Sequence, residues 1–327
     1  MLAYIARRLG AMIPTLFFVS IVCFIIIQLP PGDFLTSLAA NAASSGSGAD
    51  AAAMANLRHQ YGLDQPKYVR YVKWIAGFPR GDFGYSFEWK RPVAELIAGR
   101  LGLTMALSLL SLALMWVIAV PVGIYSATHK YSGLDHLLTF VTFGGLSIPD
   151  FLLGLVYLFV GIFVFGASLS GLSAPELAEA PWSAAKVLDL ANRLFWPALI
   201  LGAGGTAQLV RILRGSMLEV TGQQFVRTAR AKGLPERVVI NRHAVRVAIN
   251  PLISVMGMQL PQLISGATIL GIVLSIPTTG PMLIRALTSQ DMYLAGTFLL
   301  FLSLMLMLGN LLADVALAFM DPRIRYQ

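Results

Sequence analysis

Four histidines are the first places to look for metal or proton chemistry. His59, His129, His136 and His243 are scattered, with no His-Glu-x-x-His and no pairing that suggests a metal site. There is no Gly-x-x-x-x-Gly-Lys-Ser/Thr loop, so the chain lacks a P-loop cradle for ATP and no cofactor is assigned to it. No nucleophile and base converge, and no catalytic residue is assigned. The lone cysteine, Cys23, lies in an apolar run, which excludes an intramolecular disulfide or a cysteine cluster. Two other kinds of chemistry-bearing residue remain. One is a long basic stretch, Arg211–Pro251, with eight Lys/Arg against Glu219 and Glu236 up to Arg246. The other is a set of polar side chains embedded in apolar sequence: Asp150, Gln208, Gln259 and Gln262.

The elements that must position these residues are membrane helices. The chain has 327 residues, 57% of them hydrophobic and only 12% charged, about half the charged fraction of a soluble protein. Its formal charge of +8 is carried beside apolar runs, which suits inward-facing loops and not nucleic-acid binding. The first span is Leu9–Leu29, preceded by Arg7-Arg8. A cleaved signal peptide with Ala40-Asn41-Ala42 as its small-x-small site is the rival, but the run is too long and the site too distant. Further apolar segments fall at about 101–127, 136–165, 195–214, 249–275 and 292–318. Six spans with both termini cytoplasmic satisfy the short loops: Lys130 lies in a basic inside loop, Glu176, Glu179 and Asp189 lie outside, and Arg323 and Arg325 return inside. The expected organisation is residues 1–29 as terminus and first helix, 30–100 as an external domain, 101–318 as a five-helix core and 319–327 as a cytoplasmic tail.

Within such spans, polar groups face protein or water, because exposing them to lipid is costly. Asp150, after Pro149, falls about 15 residues into the third span, roughly 22 Å along a continuous helix. Gln259, Pro261 and Gln262 interrupt the fifth span and Gln208 sits in the fourth. Kinked or discontinuous helices often line transport pathways, which makes the four polar residues pathway candidates. Structural hydrogen bonding to a kinked backbone or a neighbouring helix is the alternative for each.

The basic stretch divides into two short helices, roughly 223–232 and 235–245, broken at Gly233, where glycine allows the positive φ of a helix end and Pro235 suits the next first turn. A plain basic loop that fixes topology is one reading. The wording offers another. Phe225-Val226-Arg227-Thr228-Ala229-Arg230-Ala231-Lys232-Gly233-Leu234, followed by Arg242-His243-Ala244 and Asn250-Pro251, resembles the cytoplasmic coupling loop of ABC importer permeases. The similarity is to the peptide, nickel and oligosaccharide branch, with Phe225 in place of a tyrosine and Val247 in place of an asparagine. Pro31-Gly32-Asp33, Leu57-Arg58-x-x-Tyr61-Gly62-Leu63-Asp64-Gln65-Pro66 and Gly81-Asp82-Phe83-Gly84-Tyr85-Ser86 resemble the external domain of the same branch. Ser275-Ile276-Pro277-x-x-Gly280 resembles its loop after the fifth span, although Gly271 stands where a glutamate is usual. Asp314 and Asp321-Pro322-Arg323-Ile324-Arg325-Tyr326 resemble its ending, and Asp150 is a departure from the small polar residue common there.

This resemblance implies an all-α integral membrane protein with the type I importer permease fold, in a bacterial inner membrane. It implies a second related permease, two ATPase subunits that hold ATP and Mg, and an external solute-binding protein. Ala229, Ala231 and Gly233 are expected to permit close approach of the ATPase across loop 215–248. Arg227, Arg230 and Arg237 are expected to supply polar contacts, and Phe225, Val226 and Leu234 apolar burial. Anionic lipid headgroups are the competing partner for Arg227 or Arg230. Peptide is the first expectation for the solute and oligosaccharide the second, with nickel weaker for want of clustered ligands. A self-sufficient carrier or channel is the rival class, but no convincing inverted repeat supports it.

Overall fold

The computed structural model describes residues 2–44, 51–167, 169–173, 180–181 and 183–320. Glu176, Glu179 and the 321–326 ending therefore lie outside the described residues. The described residues are mostly helical, and their one strand pair is a hairpin of Tyr85–Ser86 (β1) against Arg91–Pro92 (β2). Among the described residues, four helices are long and apolar enough to cross a bilayer: Ile5–Ile27, Val93–Thr128, Asn250–Val273 and Met292–Val315.

In chain order the helices used below are α1 (Leu2–Ile27), α2 (Phe34–Ser44), α3 (Ala51–Gln60), α4 (Lys67–Gly77), α5 (Val93–Thr128), α6 (Gly133–Ser147), α7 (Asp150–Phe163), α8 (Ala184–Thr221) and α9 (Gln224–Ala231). They continue with α10 (Glu236–Val238), α11 (Val245–Ala248), α12 (Asn250–Val273), α13 (Thr279–Thr288) and α14 (Met292–Met320). The expected single third span over 136–165 is instead two helices, α6 and α7. A proline disfavours helical backbone in the residue before it, and Ile148 is accordingly extended (φ −100°, ψ 122°). Asp150 is thus the first residue of a new helix and not a residue deep within a long one. Conversely, the expected break of the fifth span at Pro261 is absent: α12 runs through it. The fourth expected span is part of the 38-residue α8, capped by Ser183 and ending at Gly222.

Two compact units emerge, one built mainly of Met105–Pro277 with the chain from Leu306 onward, the other of Ala6–Thr104 and Thr278–Met305. In the first, α8 is the element against which α6, α7 and α12 pack. Lipid tails are as apolar as leucine, so helices there associate through close packing, and small residues permit it. A side chain at Gly154 would meet Leu270 Cδ1 at 2.7 Å, and one at Gly202 would meet Met115 Cγ at 2.8 Å. At Gly257 it would meet the Gly309 carbonyl at 2.7 Å, and at Gly309 the Gly257 carbonyl at 2.7 Å. Here α12 and α14 touch backbone to backbone. Pro261 cannot donate to residue 257, so the Gly257 carbonyl lacks its helical N–H and is the atom facing α14.

The second unit gathers the three motifs that resemble the external domain. Gly32 (φ +99°) turns the chain, and Asp33 then caps α2, its Oδ1 accepting from the Thr36 amide at 2.9 Å. Arg58 pairs with Asp33 at 2.8 Å, joining the first motif to the second. Phe34, Leu63 and Phe87 are buried with Tyr61 packed against them. Ser86 donates to Asp291 at 2.5 Å, and the Glu88 amide to the same carboxylate at 3.2 Å. Burial pushes the Asp291 carboxyl above its ordinary range against these bonds. Trp74 packs on Gly296, and Arg70 is buried with its guanidinium on the Met292 sulfur.

Candidate functional site

The loop after α8 folds back on itself. Gly222 ends α8, Gln223 is extended, and α9 occupies 224–231. Gly233 adopts φ +70°, its amide donating to the Arg230 carbonyl at 2.9 Å and the Leu234 amide to that of Ala229 at 3.4 Å. These bonds satisfy the helix end in the way a C-terminal glycine permits. Pro235 is extended, and the chain re-enters helix through α10, a π-helical stretch at Val239–Ala244 and α11. The two expected helices and their break at Gly233 are therefore present, the second with a π turn in its middle.

The loop has an inner and an outer face. Val226 and Val239 are fully buried, as are Ala244 and Ala248, and Ala229 is nearly so. Val226 and Ala229 stand three residues apart, on one side of α9. Both were expected to meet a partner, but both are already covered by this chain. What faces outward is Phe225, Arg227, Arg230, Ala231, Gly233, Leu234 and Arg237. A Cβ at Gly233 would meet open space. Arg230 is not wholly free for a partner either. Its guanidinium donates to both Glu236 oxygens, at 2.7 and 3.1 Å, and this bond holds the Glu236 carboxyl below its ordinary range.

A contact not anticipated from sequence anchors the root of the loop. Arg214, near the end of α8, pairs with Asp135 in the first turn of α6 at 3.0 Å. The Tyr131 amide donates to the same carboxylate at 3.0 Å, and Ser132 accepts from the Asp135 amide at 3.1 Å. Burial would push the Asp135 carboxyl up, but the bonds from Tyr131, Ser126 and Arg214 hold it below its ordinary range. The Ser132-x-x-Asp135 spacing was a visible capping signal. Its cation, 79 residues away in sequence, was not.

The four polar candidates do not act as one set. Asp150, Gln259 and Gln262 line one cavity of about 130 Å³ with Met115, Leu201, Gly204, Gly205 and Leu263. Gln208 is half-buried in α8 and is not among the described residues around it. Asp150 is half-buried, Gln262 exposed and Gln259 only 3% exposed. The Gln259 Oε1 is buried and has no hydrogen-bond partner among the described residues.

A helical membrane chain with an inward-folded basic loop and glycine-packed helices defines a class, and comparison with known proteins places the chain within it. Residues 119–326 match the family described as binding-protein-dependent transport system inner membrane component, and residues 1–108 match its N-terminal partner family. The chain is 34% identical over 327 residues to the oligopeptide transport system permease protein AppB of Bacillus subtilis, all of both chains being covered. It is 33% identical, again over the whole of both chains, to the glutathione transport system permease protein GsiC of Escherichia coli K12. Among solved structures, an inward-facing MetNI methionine ABC transporter shares the fold, with a TM-score of 0.51 and 18% identity over 69% of this chain and 96% of that one. The chain belongs to the binding-protein-dependent transport system inner membrane components. It is a multi-pass ABC importer permease subunit and not itself a catalytic enzyme.

Proposed function

We propose that this chain forms half of the translocation pathway of a peptide importer. A second related permease supplies the other half, two ATPase subunits dock on the 215–248 loop, and an external binding protein delivers the solute. The solute class is supported by the oligopeptide and glutathione permeases to which the chain is similar from end to end. Six crossings are inferred from α1, α5, the broken pair α6 and α7, α8, α12 and α14. Residues 30–100 then lie outside, and both termini and the loop lie in the cytoplasm. ATP closes the ATPase pair, α9 and the following helices carry that movement to the spans, and the pathway opens outward.

One observation carries the coupling reading: the loop buries its own base and leaves Phe225, Leu234, Arg227 and Arg237 projecting around a bare Gly233. A plain topology-fixing loop has no need of that division. The test is Gly233→Leu in the reconstituted importer. A side chain at φ +70° is strained, and it stands where close approach is needed. ATP-driven uptake should fall at least about tenfold, corresponding to about 1.4 kcal/mol of lost coupling, with membrane insertion kept. Undiminished solute-driven ATP turnover would remove this account of the loop, and modification of a Gln224→Cys variant from outside would reverse the topology.

A further inference from the structure

The cavity at Asp150 presents hydrogen-bond acceptors that none of the described residues answers. Asp150 brings a carboxylate, and no hydrogen bond or ion pair to it is found among the described residues. Gln259 brings a carbonyl oxygen that is buried and without a donor. Unmet polar groups of this kind cost free energy, and a chain that keeps two of them in one cavity gains by supplying them to a ligand. The rest of the wall gives no charge. Met115, Leu201 and Leu263 are apolar, and Gly204 and Gly205 present bare backbone. A Cβ at Gly205 would collide with the Met115 methyl group, so a larger residue there would push that flexible side chain aside.

The charge and the size both select. Asp150 lies in the first turn of the 14-residue α7 and brings the one acidic side chain of the cavity wall. An anionic group would be repelled. A sugar hydroxyl could donate, but it would leave the carboxylate charge uncompensated. A protonated amine supplies three N–H donors and the positive charge together. The volume of about 130 Å³ corresponds to about four waters at their liquid volume. That is room for an ammonium head with the first carbons behind it.

We propose that this cavity is a subsite for the amino terminus of a peptide in transit, with Asp150 as its counter-ion and Gln259 Oε1 as a second acceptor. Gln262, exposed at the same cavity, is placed to meet the adjoining amide. The proposal rests on the importer reading above and names the group which that pathway recognises.

The test compares trialanine with N-acetyl-trialanine in vesicles carrying the whole importer, as wild type, Asp150→Asn, Asp150→Glu and Gln259→Leu. Wild type should take up trialanine on the order of tenfold faster at limiting concentration, the worth of one charge-assisted bond. Asp150→Asn should bring the two rates together, Gln259→Leu should narrow the gap, and Asp150→Glu should keep it. Equal uptake in wild type, or an undiminished preference in Asp150→Asn, would overturn the subsite. A second arm needs no ATP: the Tm of the purified complex in ethylammonium chloride against sodium chloride at equal ionic strength. A rise confined to ethylammonium and to carboxylate-bearing variants supports the subsite, whereas an equal rise in Asp150→Asn, or the same rise with sodium, overturns it. Uptake that ignores ATP in every variant would strike the importer reading instead, and the ethylammonium arm would still decide this one.

Discussion

Asp135 and Asp150 occupy equivalent positions, each in the first turn of a helix of the same unit, and their surroundings are opposite. Asp135 is buried among donors: the Tyr131 amide, and Arg214 at 3.0 Å. Asp150 is half-buried beside a cavity whose deeply buried polar atom, Gln259 Oε1, is also an acceptor. A buried charge whose partners come from its own chain holds structure together. One whose partner must come from elsewhere reports a ligand. Two acids that look alike in sequence are separated by what stands within hydrogen-bonding reach.

The largest effect that would break this comparison is on stability. Asp135→Ala leaves the Arg214 charge and the Tyr131 amide without their acceptor, and should cost about 2 kcal/mol, below the figure for a fully buried pair because Arg214 is partly exposed. The measurement is Tm in detergent, and an unchanged Tm would show that water replaces the carboxylate without loss. Because the Asp135 carboxyl titrates below its ordinary range, its contribution is complete above the ordinary aspartate pKa of about 3.9 and is lost as pH falls further. The gap between wild type and Asp135→Ala should therefore be constant near neutrality and close only in acid. Asp150→Asn sharpens the contrast with the opposite sign. Removing a carboxylate that has no partner among the described residues should leave Tm unchanged or raise it, whereas a clear fall would reveal a structural partner and return Asp150 to the same category as Asp135. The smallest effect is expected at the exposed pair Arg230 and Glu236. Glu236→Gln should scarcely move Tm, since solvent screens both groups, and its whole influence should appear in ATPase affinity by freeing Arg230.

Much of the fold was legible because lipid imposes long apolar helices, and runs of apolar residues announce them. The turn at Gly233 was legible for a local reason: glycine followed by Leu-Pro has few other uses at the end of a polar helix. The failures were of two kinds. Pro149 and Pro261 look alike as breakers, yet only the first ends a helix. At Pro261 the freed Gly257 carbonyl is met by close packing on α14, which a sequence does not display. Val226 and Ala229 were assigned outward because the motif containing them was read as a surface, whereas their three-residue spacing places them on the side that the following π turn covers. Gln208 shows a related limit: a polar residue in a span indicates that it avoids lipid, but not which cavity it faces. Arg214 and Asp135 were missed because nothing local links residues so far apart.

The contact at Gly257 and Gly309 has a mechanical meaning. Packed helices ordinarily slide by repacking the side chains between them, as gear teeth disengage and mesh one notch on. Between these two glycines there are no teeth. A displacement along either axis would drive a carbonyl of one helix into the bulkier neighbours of the glycine on the other, Asn310 among them. The pair can pivot about this point but not shear through it. Gln259, which lines the cavity, lies two residues along α12 from this contact, so any rocking of α12 that opens or closes the cavity would turn about a point close beside it.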